Sequence, residues 1–289
     1  MHTHDRAVVL GPGGYLGTAW MAGLAQGLRG HGLDLGEADL FVGTSAGAMV
    51  AAMLATGQDF ERIADPAGGS AQRPADGPAD AAAERPRPPA PGVAGAVFAV
   101  LGEPGVAPEE ARRRVGRIAL EHADDQAQRA LVAQRGELIG ADAWPERPLL
   151  ISAVQAENGE PVVWDRTSGV PLVHAVAASS AFPGTAPPVA IDGRHYIDGA
   201  LRAGLNADLA EGARTLVVVA PLAHQRSPHE ELAGQPAVLA ARDVVVISPE
   251  AALPLGPGAQ DPAAWAAAYQ AGLGDAAAAA EQLRGVWAR

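Results

Sequence analysis

Residues 43–47 read Gly-Thr-Ser-Ala-Gly and stand between two apolar runs, 38–42, which reads as a strand, and 46–55, which reads as a helix. A G-x-S-x-G at a strand-to-helix junction is the pattern of a nucleophile elbow. It constrains the fold because the turn is tight and strained, and only small flanking residues let the backbone double back. Gly43 and Gly47 supply those small flanks, and Ser45 sits at the apex. The helix that starts there aims its unpaired N–H groups at any anion formed beside the serine.

The order of segments around the elbow is that of a parallel sheet covered by helices. Residues 6–10 read as a buried strand and 11–14 as a loop. Residues 15–29 read as a helix, with Leu16, Trp20, Leu24 and Leu28 at four-residue spacing. Further strands are expected at 148–156, 161–164, 189–191, 195–197, 215–220 and 243–247. Asp192-Gly193 forms a hairpin turn between two of them. Helices are expected at 170–180 and 261–289, the second rich in alanine. The expectation is one α/β domain over 1–289, with a central, mostly parallel sheet and helices on both faces in three layers. Hydrophobic residues make up 48% of the chain, enough for such a core, and aromatics only 4%, so Ala, Val and Leu must build it.

Between the elbow helix and the third strand lies a stretch of different character. Residues 66–91 are rich in Pro, Ala, Gly and Asp and read as a flexible excursion. Residues 92–101 are apolar, and 108–137 read as a charged helical region opened by Pro108-Glu109-Glu110. Together, about 92–140 reads as a helical insertion or a lid; the residues leave both open.

Two more segments carry chemistry. The loop Gly11-Pro12-Gly13-Gly14-Tyr15-Leu16-Gly17 follows the first strand directly. A glycine-rich turn at a helix N-terminus offers backbone amides to a phosphate or an oxyanion. Pro12 has no N–H, so Gly13 and Gly14 are the candidate donors. The spacing is not that of a dinucleotide loop, although Asp34 is near the distance of a ribose ligand. Asp198-Gly199-Ala200 follows the strand at 195–197, where an aspartate at a strand end can project into a site or simply begin a turn.

In combination, the glycine loop at 11–17, G-x-S-x-G at 43–47 and Asp198-Gly199-Ala200 resemble the patatin-like phospholipase family, over about residues 6–220. The run 177–183 followed by Pro187-Pro188 also looks like that family's segment before the aspartate strand. The resemblance implies a three-layer patatin-like α/β/α fold and a Ser–Asp dyad, with Ser45 as nucleophile and Asp198 as base. It makes Gly13 and Gly14 the oxyanion donors, with Gly11, Gly17, Gly43, Gly47 and Gly199 as supporting glycines. It implies a lipid or fatty-acyl ester as substrate, and neither cofactor nor metal. Two positions depart from the pattern: Pro12 replaces the first glycine of the usual triple, and Leu16 stands where the family has Arg or Lys.

Three alternatives remain beside that reading. The chain could be an acyl-lipid binding protein with weakened catalysis. It could be a Ser–His–Asp hydrolase, with a base among His174, His195, His224 and His229. It could be a nucleotide-binding oxidoreductase on the glycine loop. Composition narrows the rest. A formal charge of −12 disfavours nucleic acid and adsorption to anionic lipid by charge, leaving at most transient membrane contact. The chain has no cysteine, and all 21 basic residues are arginine, which removes thiol nucleophiles, Schiff-base chemistry and a Ser–Lys dyad. Residues 1–6 lack the pattern of a signal peptide, and the expected location is cytoplasmic.

Overall fold

Strand β1 (His4–Leu10) lies in the middle of a mixed eight-stranded sheet, and its alternating side chains feed two different cores. Val8 and Leu10 point into one core, and Ala7 and Val9 into the other, so the sheet is covered on both faces. The computed structural model describes residues 4–65, 92–254 and 261–287. The expectation of a flexible excursion at 66–91 therefore lies outside the described residues.

From β1 the chain passes through the glycine loop into α1 (Gly14–Gly30), then β2 (Leu40–Gly43) and α2 (Ala46–Ala55). Leu16, Trp20, Leu24 and Leu28 are all buried along α1, as their spacing predicts. Next come α3 (Val93–Leu101), α4 (Pro108–Leu120) and α5 (Asp125–Ile139), which precede β3 (Leu149–Gln155) and β4 (Pro161–Trp164). The charged helical region is thus two helices rather than one. The break falls where the Asp124 carboxylate accepts from the amides of Gln126 and Ala127 and caps α5.

Helix α6 (Leu172–Ser179) leads to the hairpin β5 (Val189–Ile191) and β6 (Arg194–Asp198). Asp192 and Gly193 both take positive φ there, as a two-residue type I′ turn requires. The chain closes with α7 (Ala200–Ala203), β7 (Ala213–Val219), α8 (Pro228–Leu232), α9 (Pro236–Ala240), β8 (Asp243–Ile247) and α10 (Pro262–Leu283). α10 packs along α1, where Gly23 and Gly272 bring the two backbones into contact. Among the described residues no helix is long and apolar enough to cross a membrane.

Strand pairing follows the path β5-β6-β3-β2-β1-β7-β8, and β4 also pairs with β3. β3, β2, β1, β7 and β8 run parallel, and β4, β5 and β6 form antiparallel pairs at one end. The register of β3 positions the site. Ile151 pairs with both Gly43 of β2 and Trp164 of β4, so those two strands lie on opposite edges of β3. Ala153 pairs with both Val162 of β4 and Asp198 of β6. β6 therefore lies on the edge that β2 occupies, beyond the point where β2 ends. It runs antiparallel toward β2, and the two strands stop opposite β3 residues only two positions apart. At the rise of a strand that is roughly 7 Å. Residues just past the end of each strand have to meet.

Candidate functional site

Ser45 sits at the turn between β2 and α2 with φ 55° and ψ −118°, a conformation costly for any residue with a Cβ. Its N–H donates to Ser179 Oγ at 3.0 Å. The turn is tied to the end of β1 by amide bonds from Thr44 to the Leu10 carbonyl and from Gly47 to the Gly11 carbonyl. A Cβ at position 47 would overlap the Leu10 carbonyl, which accounts for the second glycine of the motif.

Asp198, at the end of β6, is almost completely buried, and Ser45 Oγ donates to its Oδ2 at 2.7 Å. Its Oδ1 accepts from the Ala200 amide at 2.8 Å, which fixes the carboxylate plane. A Cβ at position 199 would overlap Ser152 Oγ and the Ser152 carbonyl, so the turn after Asp198 has no room for a larger residue. Burial pushes the Asp198 carboxyl up to about 7, against the opposing pull of the Ala200 amide, the Ser45 hydroxyl and the Arg135 charge.

The two halves are joined beneath by a buried polar cluster. Thr44 and Ser152 hydroxyls lie 3.1 Å apart, and Asn206 Nδ2 is within 3.1 Å of both and of the Gly199 and Gly204 carbonyls. Asn206 has positive φ, which asparagine tolerates better than most residues. Residues 179–181 hold the Ser45–Asp198 pair from the other side. Ser179 takes the Ser45 amide and, through its carbonyl, the Gly199 amide, while the Ala181 carbonyl takes the Asp198 amide.

The glycine loop delivers Gly13 as the N-cap of α1 and Gly14 at φ +61°, and both line the cleft that holds Ser45 and Asp198. Among the described residues neither amide has an assigned acceptor. The N-termini of α1 and α2 converge on this point, and their dipoles favour an anion there. Gly11 and Gly17 face inward beneath the loop, against Leu205 and Pro221 respectively. Leu16 is buried in the core, so the loop contributes no charge of its own.

The cleft has a volume of about 2830 Å³, well above the 300–1,000 Å³ typical for small-molecule sites. Its walls mix glycine-loop backbone with Met49, Leu131, Phe182 and Leu201. The inserted helices border it: α3 presents Phe98 and Leu101, and α5 presents Arg135. α3 is anchored rather than loose. Val97 is fully buried with Val115, Val154 and Ile197, whereas Phe98 is 63% exposed and stacks near Phe182 at 5.6 Å. The apolar stretch 92–101 is therefore split, with Val97 in the core and Val93, Phe98 and Leu101 at the cleft.

The histidines stand apart. His195 Nδ1 lies 3.0 Å from Glu157, and His224 Nε2 lies 2.9 Å from the Pro249 carbonyl. His229 is exposed on α8, and His174 on α6 keeps a buried Nδ1 with no partner among the described residues. His122 borders the cleft, but its Nδ1 lies 2.9 Å from the Ile118 carbonyl. Asp34 caps a 3₁₀ turn after α1 and pairs with Arg29. Three supporting residues went unmarked in the sequence, Ser152, Asn206 and Arg135, because three-dimensional register alone brings them to the site. Ser179 lies in the run 177–183 that the resemblance singled out, although its bond to the Ser45 amide could not be read there.

A serine on a strand–helix elbow bonded to a strand-end aspartate, under a glycine loop and inside an α/β sandwich, defines a class of acyl hydrolase architecture. The sequence matches the model of the patatin-like phospholipase family over residues 8–211, and the chain belongs to that family of lipid hydrolases. Among solved structures, VipD from Legionella pneumophila is similar at 14% identity and a TM-score of 0.47; the match covers 98% of this chain and 67% of that one. The type III effector ExoU is similar at 17% identity and a TM-score of 0.34, over 96% of this chain and 53% of its own. This chain thus spans about two thirds of the first structure and about half of the second. No curated protein matches.

Proposed function

We propose that the chain is a serine acyl-ester hydrolase that cleaves lipid or fatty-acyl esters with a Ser–Asp dyad. The observation that carries this reading is the 2.7 Å bond from Ser45 Oγ to Asp198 Oδ2. A serine hydroxyl becomes a useful nucleophile when a base within hydrogen-bond reach takes its proton. Ser45 Oγ attacks the ester carbonyl, and Asp198 receives the hydroxyl proton. The carbonyl oxygen takes the negative charge beside the Gly13 and Gly14 amides. Each such donor is worth on the order of 3 kcal/mol in comparable sites. The tetrahedral intermediate collapses, the alcohol leaves with the proton from Asp198, and the acyl group stays on Ser45. Water then repeats the sequence with Asp198 as base, releasing the acid and the free serine. Hydrolysis of p-nitrophenyl esters of graded chain length, with fluorophosphonate labelling alongside, tests the reading. Absence of both turnover and labelling in the folded protein would overturn it.

Two expectations follow from the site itself. Because the base acts only when ionised, kcat/KM for a neutral ester should rise with pH along a limb centred near 7. A limb near the ordinary carboxylate value, or none, would show that Asp198 is not the group titrating. The cleft wall supports a preference for long acyl chains. Phe98→Ser and Leu101→Ser should each lower kcat/KM on a palmitate ester about five- to tenfold and leave an acetate ester within about twofold. An equal loss on both esters would remove these residues from the acyl path. Val97→Ser is no test of this idea, since it puts a hydroxyl into the packed core.

A further inference from the structure

Arg135 projects from α5, in the inserted helical stretch, to the segment that holds the dyad. Its Nε donates to Ser180 Oγ at 2.9 Å, and its Nη1 donates to Gln134 at 3.1 Å. Ser180 lies between Ser179 and Ala181, the residues that bind Ser45, Gly199 and Asp198. The guanidinium lines the cleft, and among the described residues no carboxylate forms a salt bridge with it. A charge with no ion-pair partner in a half-buried place is unusual, and its reason should lie in what it acts on.

We propose that Arg135 is a positioning residue for the dyad: its guanidinium, hooked through Ser180 onto the segment that hydrogen-bonds both dyad members, favours the Asp198 carboxylate against burial and so helps set the pH range in which Ser45 is activated. The proposal rests on Asp198 being the base. Arg135, Ser180, Ser45 and Asp198 line the same cleft, and the Arg135 cation adds to the pull of the Ala200 amide and the Ser45 hydroxyl toward the carboxylate. Burial pushes Arg135 itself down to about 10, which leaves it a cation at neutral pH. The other charges around the cleft are engaged elsewhere. Arg62 donates to the Glu137 and Leu138 carbonyls at the end of α5, and Arg202 pairs with Asp208 next to α7. Asp124 caps α5, and Glu231 of α8 accepts from the Leu205 amide. Arg226, Glu137 and His122 also line the cleft, and none of them shifts Asp198; nor does His174 on the adjacent α6. Leu16 leaves the glycine loop uncharged, and the insertion brings the Arg135 cation to the cleft beside Ser180.

The sign is fixed. Removing a positive charge near a carboxyl raises its pKa, so the acid limb of kcat/KM moves up. Arg135→Gln should raise that limb by about one pH unit on a neutral p-nitrophenyl ester. Activity then falls about tenfold at about pH 6 and stays within about twofold of wild type at about pH 9. Arg135→Lys should restore the wild-type limb, and Ser180→Ala, which unhooks Nε, should move it in the same direction by less. The carboxyl stretch of protonated Asp198, assigned by its loss in Asp198→Asn, can be titrated by infrared difference spectroscopy whether or not the protein turns over. It should shift in parallel. A uniform loss at every pH, or an unmoved carboxyl titration in Arg135→Gln, would overturn the inference. If Arg135→Gln does not fold, an unmoved limb and carboxyl titration in Ser180→Ala, with Arg135→Lys indistinguishable from it in activity loss, does the same. A folded wild type with neither turnover nor labelling would instead sink the hydrolase reading, and the infrared shift would still decide the role of Arg135.

Discussion

Ser45→Ala should fold like the wild type and lose both ester turnover and fluorophosphonate labelling. The backbone at this position is held from outside the side chain. The Ser45 amide is bound by Ser179 Oγ, and the elbow is tied to the end of β1 through Thr44 and Gly47. Alanine keeps the Cβ, so the strain at φ 55° is the same in both proteins. The only bond lost is the one to Asp198, and leaving that buried oxygen without its donor costs about 1–3 kcal/mol. For a chain of this size that lowers Tm by about 10 °C at most, which leaves the protein folded. Rate is another matter, because in the proposed mechanism the hydroxyl oxygen is the reacting atom. Losing the nucleophile of a serine hydrolase costs on the order of 10⁶ in kcat. A variant that still hydrolysed p-nitrophenyl butyrate at near wild-type rate would place the chemistry elsewhere. A variant that failed to fold would mean that the elbow depends on the Ser45–Asp198 bond far more than its surroundings suggest.

The motifs were legible because each is a local backbone demand. Gly47 and Gly199 mark close approaches that any side chain would block, and the apolar runs beside them set strand and helix. Helix α1 could be read from four-residue spacing, and the β5–β6 turn from Asp192-Gly193. What pairs with what could not be read. The meeting of Ser45 and Asp198, 153 residues apart, follows from β6 continuing along the edge of β3 that β2 vacates. No local pattern encodes that register. The same limit hid Asn206, which carries a buried cluster linking four segments, and Arg135, one arginine among many on a charged helix. The reading of 108–137 as a helical region holds, but it did not place the division of α4 from α5. The Asp124 cap stood in the sequence, but the surrounding charge pattern runs on across it. Likewise, the apolar run 93–98 gave no sign that Val97 goes into the core while Phe98 faces the cleft, since that depends on where α4 and β6 pack.

Asp198→Asn should be the most informative single change, because it separates catalysis from stability in opposite directions. Asparagine keeps the shape and can still accept from the Ala200 amide, but it cannot take the Ser45 proton. By analogy with loss of the acidic partner in other serine hydrolases, kcat should fall by about 10⁴, and the acid limb near 7 should vanish. Changing His122, His174, His195, His224 or His229 to alanine should each cost no more than about threefold, since none bonds either dyad member. A histidine variant as inactive as Asp198→Asn would make the site a triad. Stability should move the other way. The Asp198 carboxyl has an ordinary value of 3.8 and is pushed up to about 7 in the fold. Below about pH 4 it is neutral in both folded and unfolded chains, and its burial carries no charge penalty. Between about pH 4 and about pH 7 the unfolded chain ionises while the folded carboxyl stays neutral, so stability on the order of a few kcal/mol is lost across that range and no more above it. The asparagine side chain never ionises. The Asp198→Asn protein should therefore melt close to the wild type at about pH 4 and clearly above it at about pH 8. Equal melting differences at both pH values would mean that Asp198 is ionised throughout, and that the cost of burying the base is met by Ser45, Ala200 and Arg135 in full.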